Sequence, residues 1–341
     1  MPKKNLPITI LSLFMLLLSV WLLAGCSTAA EATSVIAAPA ITTFAPSPTS
    51  SAAASSTQAP VEPTQVIESA TAAAQDQPTA AAITPTPSAT STPRSSPTPD
   101  IRLDPARWPE WPAIPTISAR AYEIYQQGLV NGNDPQAFSR VGDCESAPEA
   151  FLGFYVEEWA WLPDDYQYLQ AAIDYFHTSF ARDNITAREG FGVSSVLSPL
   201  MADPSVCENN ETPLDCEYRL HQPSLLFISM GTNWAPYAGA SYEKYLRQVV
   251  EFAIDHGTLP ILMTKADKIE MDNSINAAIA RVAYDYDVPM LNFWRIAHAL
   301  PHNGLEEDAA HLTTEAEDSR NFYGLITLYT VWDQLSNWGQ P

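Results

Sequence analysis

Cys144 and His311 are the residues of this 341-residue chain whose types and settings fit nucleophilic acyl transfer. That chemistry needs a nucleophile that loses a proton, a base that takes it, a group that orients the base, and donors for the developing oxyanion. Cys144 ends the block Gly142-Asp143-Cys144, where a strand is expected to pass into a helix. A helix N-terminus there would favour a thiolate over the ordinary thiol pKa of about 8.5. Asp143 and Glu145 act in the opposite sense, because adjacent carboxylates raise a thiol pKa, so activation falls to His311. Asp308 precedes His311 by three residues. One turn then presents both side chains, with the carboxylate on one ring nitrogen and the other nitrogen facing the nucleophile. Asn233 lies just beyond the apolar run Leu225 to Met230, where its amide can serve as an oxyanion donor. The backbone N–H groups of Gly192 and Cys144 would add two more. Gly190 competes with Gly192 for this role, and Gly192 is preferred because Ser194-Ser195 can begin the next helix.

Each block has a plainer reading when taken singly. Gly142-Asp143-Cys144 also describes a strand-to-helix turn with a buried, inert cysteine, and Asp-x-x-His pairs are common on surfaces. Order is what joins them. Gly142-Asp143-Cys144, Gly190-Phe191-Gly192, Gly231-Thr232-Asn233 and Asp308-Ala309-Ala310-His311 follow one another as do the four blocks of the SGNH (GDSL-like) hydrolase family, which the chain resembles from about Phe138 to Leu335. Two departures stand out: Cys144 occupies the place of the nucleophilic serine, and Trp234 follows Asn233 where the family usually has aspartate. The resemblance implies a three-layer α/β/α sandwich, flavodoxin-like, around a mostly parallel sheet of about five strands. It also implies no cofactor and hydrolysis of an ester, such as acyl or acetyl groups on carbohydrate or lipid. Cys144, His311 and Asp308 would be catalytic, with Gly192, Asn233 and the Cys144 amide as the oxyanion hole. The second reading is a tethered binding or structural lipoprotein that keeps this fold without catalysis.

The elements that must hold these residues alternate as strand-helix units. Strands are expected at Ala137 to Val141, Leu225 to Met230, Leu259 to Met263 and Val288 to Phe293. Helices are expected at Glu149 to Trp159, Asp164 to Phe180, Ser241 to His256, Ser274 to Tyr286 and Asn321 to Leu335. The blocks fall just after strands or in late loops, and open parallel sheets bind at the carboxyl ends of their strands.

Residues 1–26 read as an export signal, with Lys3 and Lys4 before an apolar run from Ile8 to Leu23 and a lipobox at Leu23-Ala24-Gly25-Cys26. Cys26 would carry the lipid and anchor the chain at the cell membrane on its extracytoplasmic side. A permanent single span is the other reading, and it gives the same side. Residues 27–100, rich in Ala, Ser, Thr and Pro, cannot bury a core and are expected to form a disordered tether, reaching roughly 50 Å as a coil and roughly 230 Å as extended polyproline. Residues 101–341 form the folded domain. The formal charge of −22 becomes more negative when Lys3 and Lys4 leave with the signal, which argues against a nucleic-acid partner.

With Cys26 lipidated, Cys144, Cys207 and Cys216 remain in an oxidising setting, and three thiols cannot all pair. A Cys207–Cys216 bridge closing the polar segment between them is favoured; pairing of either with Cys144 is the rival and would abolish nucleophilic catalysis. The histidines show no ligand spacing with the cysteines, so no metal site is expected. Trp234, Tyr237 and Trp294 read more readily as packing residues than as a sugar-stacking wall.

Overall fold

The computed structural model describes residues 102–157 and 160–340. The signal segment, the lipidation residue Cys26 and the tether lie outside them. Within the described residues a four-stranded, all-parallel sheet runs in the order β1 (Asp134–Gly142), β2 (Pro223–Ser229), β3 (Leu259–Met263), β4 (Met290–Leu291). The helices are α1 (Ala119–Asn131), α2 (Gln170–Tyr175), α3 (His177–Phe180), α4 (Pro213–His221), α5 (Gly239–Asp255), α6 (Ser274–Tyr286), α7 (Phe293–Ala297) and α8 (Thr314–Ser336). Alternation along β1 divides them into two layers. Phe138 packs edge-on against Phe176 and Phe180 on one face, while Ser139 on the other donates to Glu217 of α4 at 2.6 Å. Ring pairs tie α2 to α8 through Tyr175–Trp332 and α1 to the turn just after α8 through Tyr122–Trp338 on the first side. On the second side Tyr218–Phe252 ties α4 to α5, and Arg281–Glu243 ties α6 to α5. The result is the expected three-layer α/β/α sandwich. Leu225 to Ile228 are buried, as a strand covered on both faces requires.

The sheet has four strands where about five were expected. In the fifth place, outside β1, there is only the parallel bridge Gly142–Ala187. Side chains take over the rest of that edge. The Phe138 N–H donates to Ser179 Oγ at 3.1 Å, and its carbonyl accepts from Arg182 Nη2 at 2.5 Å. The Arg140 carbonyl accepts from Thr186 Oγ1 at 2.5 Å, and Gly142 N–H donates to the Thr186 carbonyl at 3.0 Å. A segment carrying Arg182, Asp183, Asn184 and Arg188 is too polar to lie as a buried strand, but its side chains satisfy the backbone groups a strand would have satisfied.

The expected helix Glu149 to Trp159 is also absent from the described residues. A turn at Cys144–Ser146 and another at Gly153–Val156 follow β1, and α8 side chains bond the Glu145 and Ala150 carbonyls and the Leu152 N–H. Likewise Asp164 to Phe180 divides into a 3₁₀ stretch, Asp164–Leu169, and the short helices α2 and α3. The last strand shortens to Met290–Leu291, while the last helix begins earlier, at Thr314, capped by Thr313. Cys207 and Cys216 form a disulfide, with Cys216 buried on α4, and Cys144 is the free cysteine among the described residues.

Candidate active site

Cys144 follows β1 at the first residue of a three-residue turn, so no helix dipole of useful length points at its sulfur. The approach of this turn to the sheet is close. A Cβ at position 142 would lie 2.0 Å from Ser146 Oγ and 2.3 Å from the Ser229 carbonyl, so only glycine fits. Ser146 is buried, and its hydroxyl donates to that carbonyl at 2.9 Å, which commits it to structure. The Cys144 thiol is held above its ordinary pKa by burial first, then by Asp143 and Glu145. Its backbone N–H donates to no other group among the described residues. Asp143 is itself buried and pushed upward by that burial, with one oxygen accepting from the Glu145 N–H at 3.1 Å.

Asp308 and His311 sit on a small hairpin closed by the antiparallel bridge Leu305–Leu312. Asp308 Oδ1 accepts from the N–H groups of Ala310 and His311 at 2.9 and 3.0 Å, which fixes the carboxylate. Its other oxygen lies 2.5 Å from His311 Nδ1. A proton on Nδ1 leaves Nε2 as the basic nitrogen. The hydrogen bond, then the carboxylate charge, raises the His311 pKa; the same bond, then the Ala310 and His311 N–H groups, draws Asp308 down to about 2.

The second and third blocks meet. Gly192 is buried against the loop after β2, where a Cβ would fall 2.9 Å from the Asn233 carbonyl and 3.3 Å from the Trp234 ring. Gly190 is exposed, at φ +77, with open space around it. Asn233 Nδ2 donates to the Phe191 carbonyl at 3.3 Å, and the Gly192 N–H donates to Ser195 Oγ at 3.0 Å. Acting on an oxyanion would therefore require Gly192 to exchange the serine hydroxyl for it. Trp234 turns away, its indole N–H donating to the Ala238 carbonyl at 3.1 Å and its ring packing near Tyr242 and Tyr245 of α5.

The nucleophile turn and the histidine hairpin share a narrow cleft of about 30 Å³, lined by Asp143 and Glu145 from one side and by Ala310 and Leu312 from the other. Thr232 and Asp267 join them, and Thr232 Oγ1 donates to Asp267 Oδ2 at 2.9 Å. Among the described residues no hydrogen bond links Cys144 Sγ to His311. A wider groove runs from Asp308 past Leu305 to Trp294, whose Nε1 is buried without a partner among the described residues.

The sequence reading missed several residues at this cleft. Lys265 is tied to Asp267 and Glu270 at 2.5 and 2.6 Å, and Arg320 reaches in from α8. Arg320 carried a signal: it falls with Ala316 and Gly324 at i, i+4 spacing on the buried face of its helix, where a cation needs a reason.

No family model matches the chain, and no curated protein does. Solved structures similar to it include the esterase EstA from Pseudoalteromonas sp., at 13% identity over 56% of this chain and 95% of that one, with a TM-score of 0.37. The acetylxylan esterase Axe2 from Geobacillus stearothermophilus is 14% identical over 57% and 94%, with a TM-score of 0.37. A GDSL-like lipase from Bacteroides thetaiotaomicron is 16% identical over 62% and 98%, with a TM-score of 0.36.

Proposed function

We propose that this chain is an extracytoplasmic, lipid-anchored ester hydrolase of the SGNH type that works through Cys144, His311 and Asp308. The observation that carries this reading is the shared cleft, in which residues flanking the cysteine and residues flanking the histidine face each other. In this mechanism Cys144 Sγ attacks the ester carbonyl carbon while His311 Nε2 takes the thiol proton, so the raised thiol pKa is met by a base whose own pKa is raised. Asp308 holds the imidazolium that forms. Asn233 Nδ2, the Cys144 N–H and the Gly192 N–H, once released from Ser195, stabilise the oxyanion. His311 then protonates the departing alcohol, and water activated by the same nitrogen hydrolyses the thioester. The missing Cys144–His311 hydrogen bond does not exclude the pair, because such bonds are often long before substrate arrives. Acyl or acetyl esters of carbohydrate or lipid are the substrates this reading proposes, held in the groove between Asp308 and Trp294. Cys26 is the proposed lipid attachment residue, and Cys26→Ala should release the chain from membranes in a fractionation.

The test is hydrolysis of short aryl esters by the full chain in detergent. Loss of turnover in both Cys144→Ala and His311→Ala supports the reading, and equal rates in wild type and variants refute it. A second reading, a binding lipoprotein without catalysis, is favoured by the upward shift of the Cys144 thiol. It would be upheld if no aryl ester is turned over while Cys144 remains a free thiol.

A further inference from the structure

Two neighbouring residues of α8 grip the segment that follows the nucleophile. Asn321 Oδ1 accepts from the Leu152 N–H at 2.5 Å, and its Nδ2 donates to the Ala150 carbonyl at 3.0 Å. Arg320 does the same work nearer to Cys144. One of its nitrogens donates to the Glu145 carbonyl, the other to Ser229 Oγ at 2.9 Å, and its guanidinium lies 4.5 Å from the centre of the Phe151 ring. A neutral amide suffices for the first grip, yet the second uses a cation that is only 3% exposed, and burying a charge is costly unless the charge is used. No carboxylate forms an ion pair with Arg320 among the described residues, so its charge is not cancelled at contact range. It acts instead on Glu145, Asp143, Glu317 and the Cys144 sulfur.

We propose that Arg320 is a positioning residue for Cys144: it fixes the carbonyl of the residue after the nucleophile and supplies the buried cation that offsets the carboxylates around the thiol. The role rests on the reading of Cys144 as the nucleophile. Asp143 and Glu145 flank the thiol on its own turn, and Glu317 acts on Glu145 and Arg320 from α8. Asp308 and His311 stand on the hairpin, where His311 contributes a positive charge only when protonated. Asp267 acts on Asp143 from the loop after β3, but Lys265 is occupied there by Asp267 and Glu270. Arg320 is thus the cation bonded directly to the nucleophile's turn, through the Glu145 carbonyl, that no carboxylate pairs with among the described residues. Cys144 is exposed, and without Arg320 the carboxylates of Asp143 and Glu145 beside it oppose ionisation with no fixed positive charge on the same turn to offset them.

The experiment measures the pH dependence of iodoacetamide alkylation at Cys144 in the detergent-solubilised full chain, followed on the Cys144 peptide by mass spectrometry. This readout needs no ester, so it separates failure of the Arg320 role from failure of the hydrolase reading. Arg320→Met fills the space against Phe151 without charge, and it should raise the alkylation midpoint by about one pH unit, making labelling below the midpoint about tenfold slower. Arg320→Lys keeps the charge but cannot span both acceptors, so its midpoint should stay within about half a unit while aryl-ester kcat falls about tenfold or more with KM little changed. A folded Arg320→Met protein with the wild-type midpoint overturns the proposal. If Arg320→Met does not fold, Arg320→Gln is read by the same alkylation: a wild-type midpoint overturns the proposal, and a midpoint raised by about one pH unit supports it.

Discussion

The two halves of the candidate site are held in opposite ways. The nucleophile segment, residues 143–152, has almost no regular structure and is fixed from outside, by Ser229 of β2 and by Arg320 and Asn321 of α8. That grip holds even Leu152 at φ 71, in the left-handed region, without a glycine. The histidine hairpin is exposed and holds itself, through Asp308 bonded to two N–H groups and one ring within the same turn. The difference teaches that the nucleophile is a tertiary product and the base a local one. Damage to α8 should reach the thiol through both folding energy and charge, whereas damage to the hairpin should reach chiefly the chemistry.

The largest expected effect removes the nucleophile. Cys144→Ala should lower aryl-ester kcat/KM by about 10³-fold or more while leaving the melting temperature near that of the wild type. Next comes the outside grip. Asn321→Ala orphans a buried N–H and a carbonyl and should cost about 2 to 4 kcal/mol in urea unfolding. An unchanged unfolding midpoint would show that the segment holds itself after all. Asp308→Asn tests the local half: kcat/KM should fall about 10²-fold with little change in stability. Because Asp308 raises the His311 pKa, the neutral base becomes available at lower pH in this variant, and the rising limb of the pH profile should move to lower pH. In the wild type, the pair's contribution to the fold is lost as pH rises through the raised His311 value, or as it falls through the Asp308 value of about 2. The smallest effect is Ala309→Gly, at φ +57 in the hairpin turn. Relief of backbone strain and the added chain entropy of glycine nearly cancel, so stability should move by less than about 0.5 kcal/mol.

Much of the scaffold was legible in the sequence because it follows simple periodicity. β3 and α6 begin and end where the apolar spacing put them, at Leu259–Met263 and Ser274–Tyr286. Two helices went unread although their caps were visible. Ser118 opens α1 and Gly132 closes it at φ 95, and Thr212 with Asp215 forms a capping box at the start of α4. The helix expected after Cys144 was wrong for a tertiary reason: hydrogen bonds from α8 replace those a helix would have made, and residue spacing does not encode them. Of the site, the hairpin was readable because Asp308 and His311 meet within one turn. Gly192 could be preferred over Gly190 from its neighbours, but its contact with Asn233 joins residues 41 positions apart and appears only on folding. Arg320 escaped notice because a lone arginine in an acidic helix reads as a solvent-facing residue until its helical face is considered.

The outer margin of β1 has a consequence for crowding. Several of its backbone groups are already taken by Ser179, Arg182 and Thr186, and at the opposite margin the Asn292 N–H beyond β4 is taken by the Ala113 carbonyl. Open strand margins are where chains zip together. The groups these side chains occupy offer nothing for a strand of a neighbouring copy to pair with, which narrows the stretch of the β1 margin open to edge-to-edge pairing at high local density.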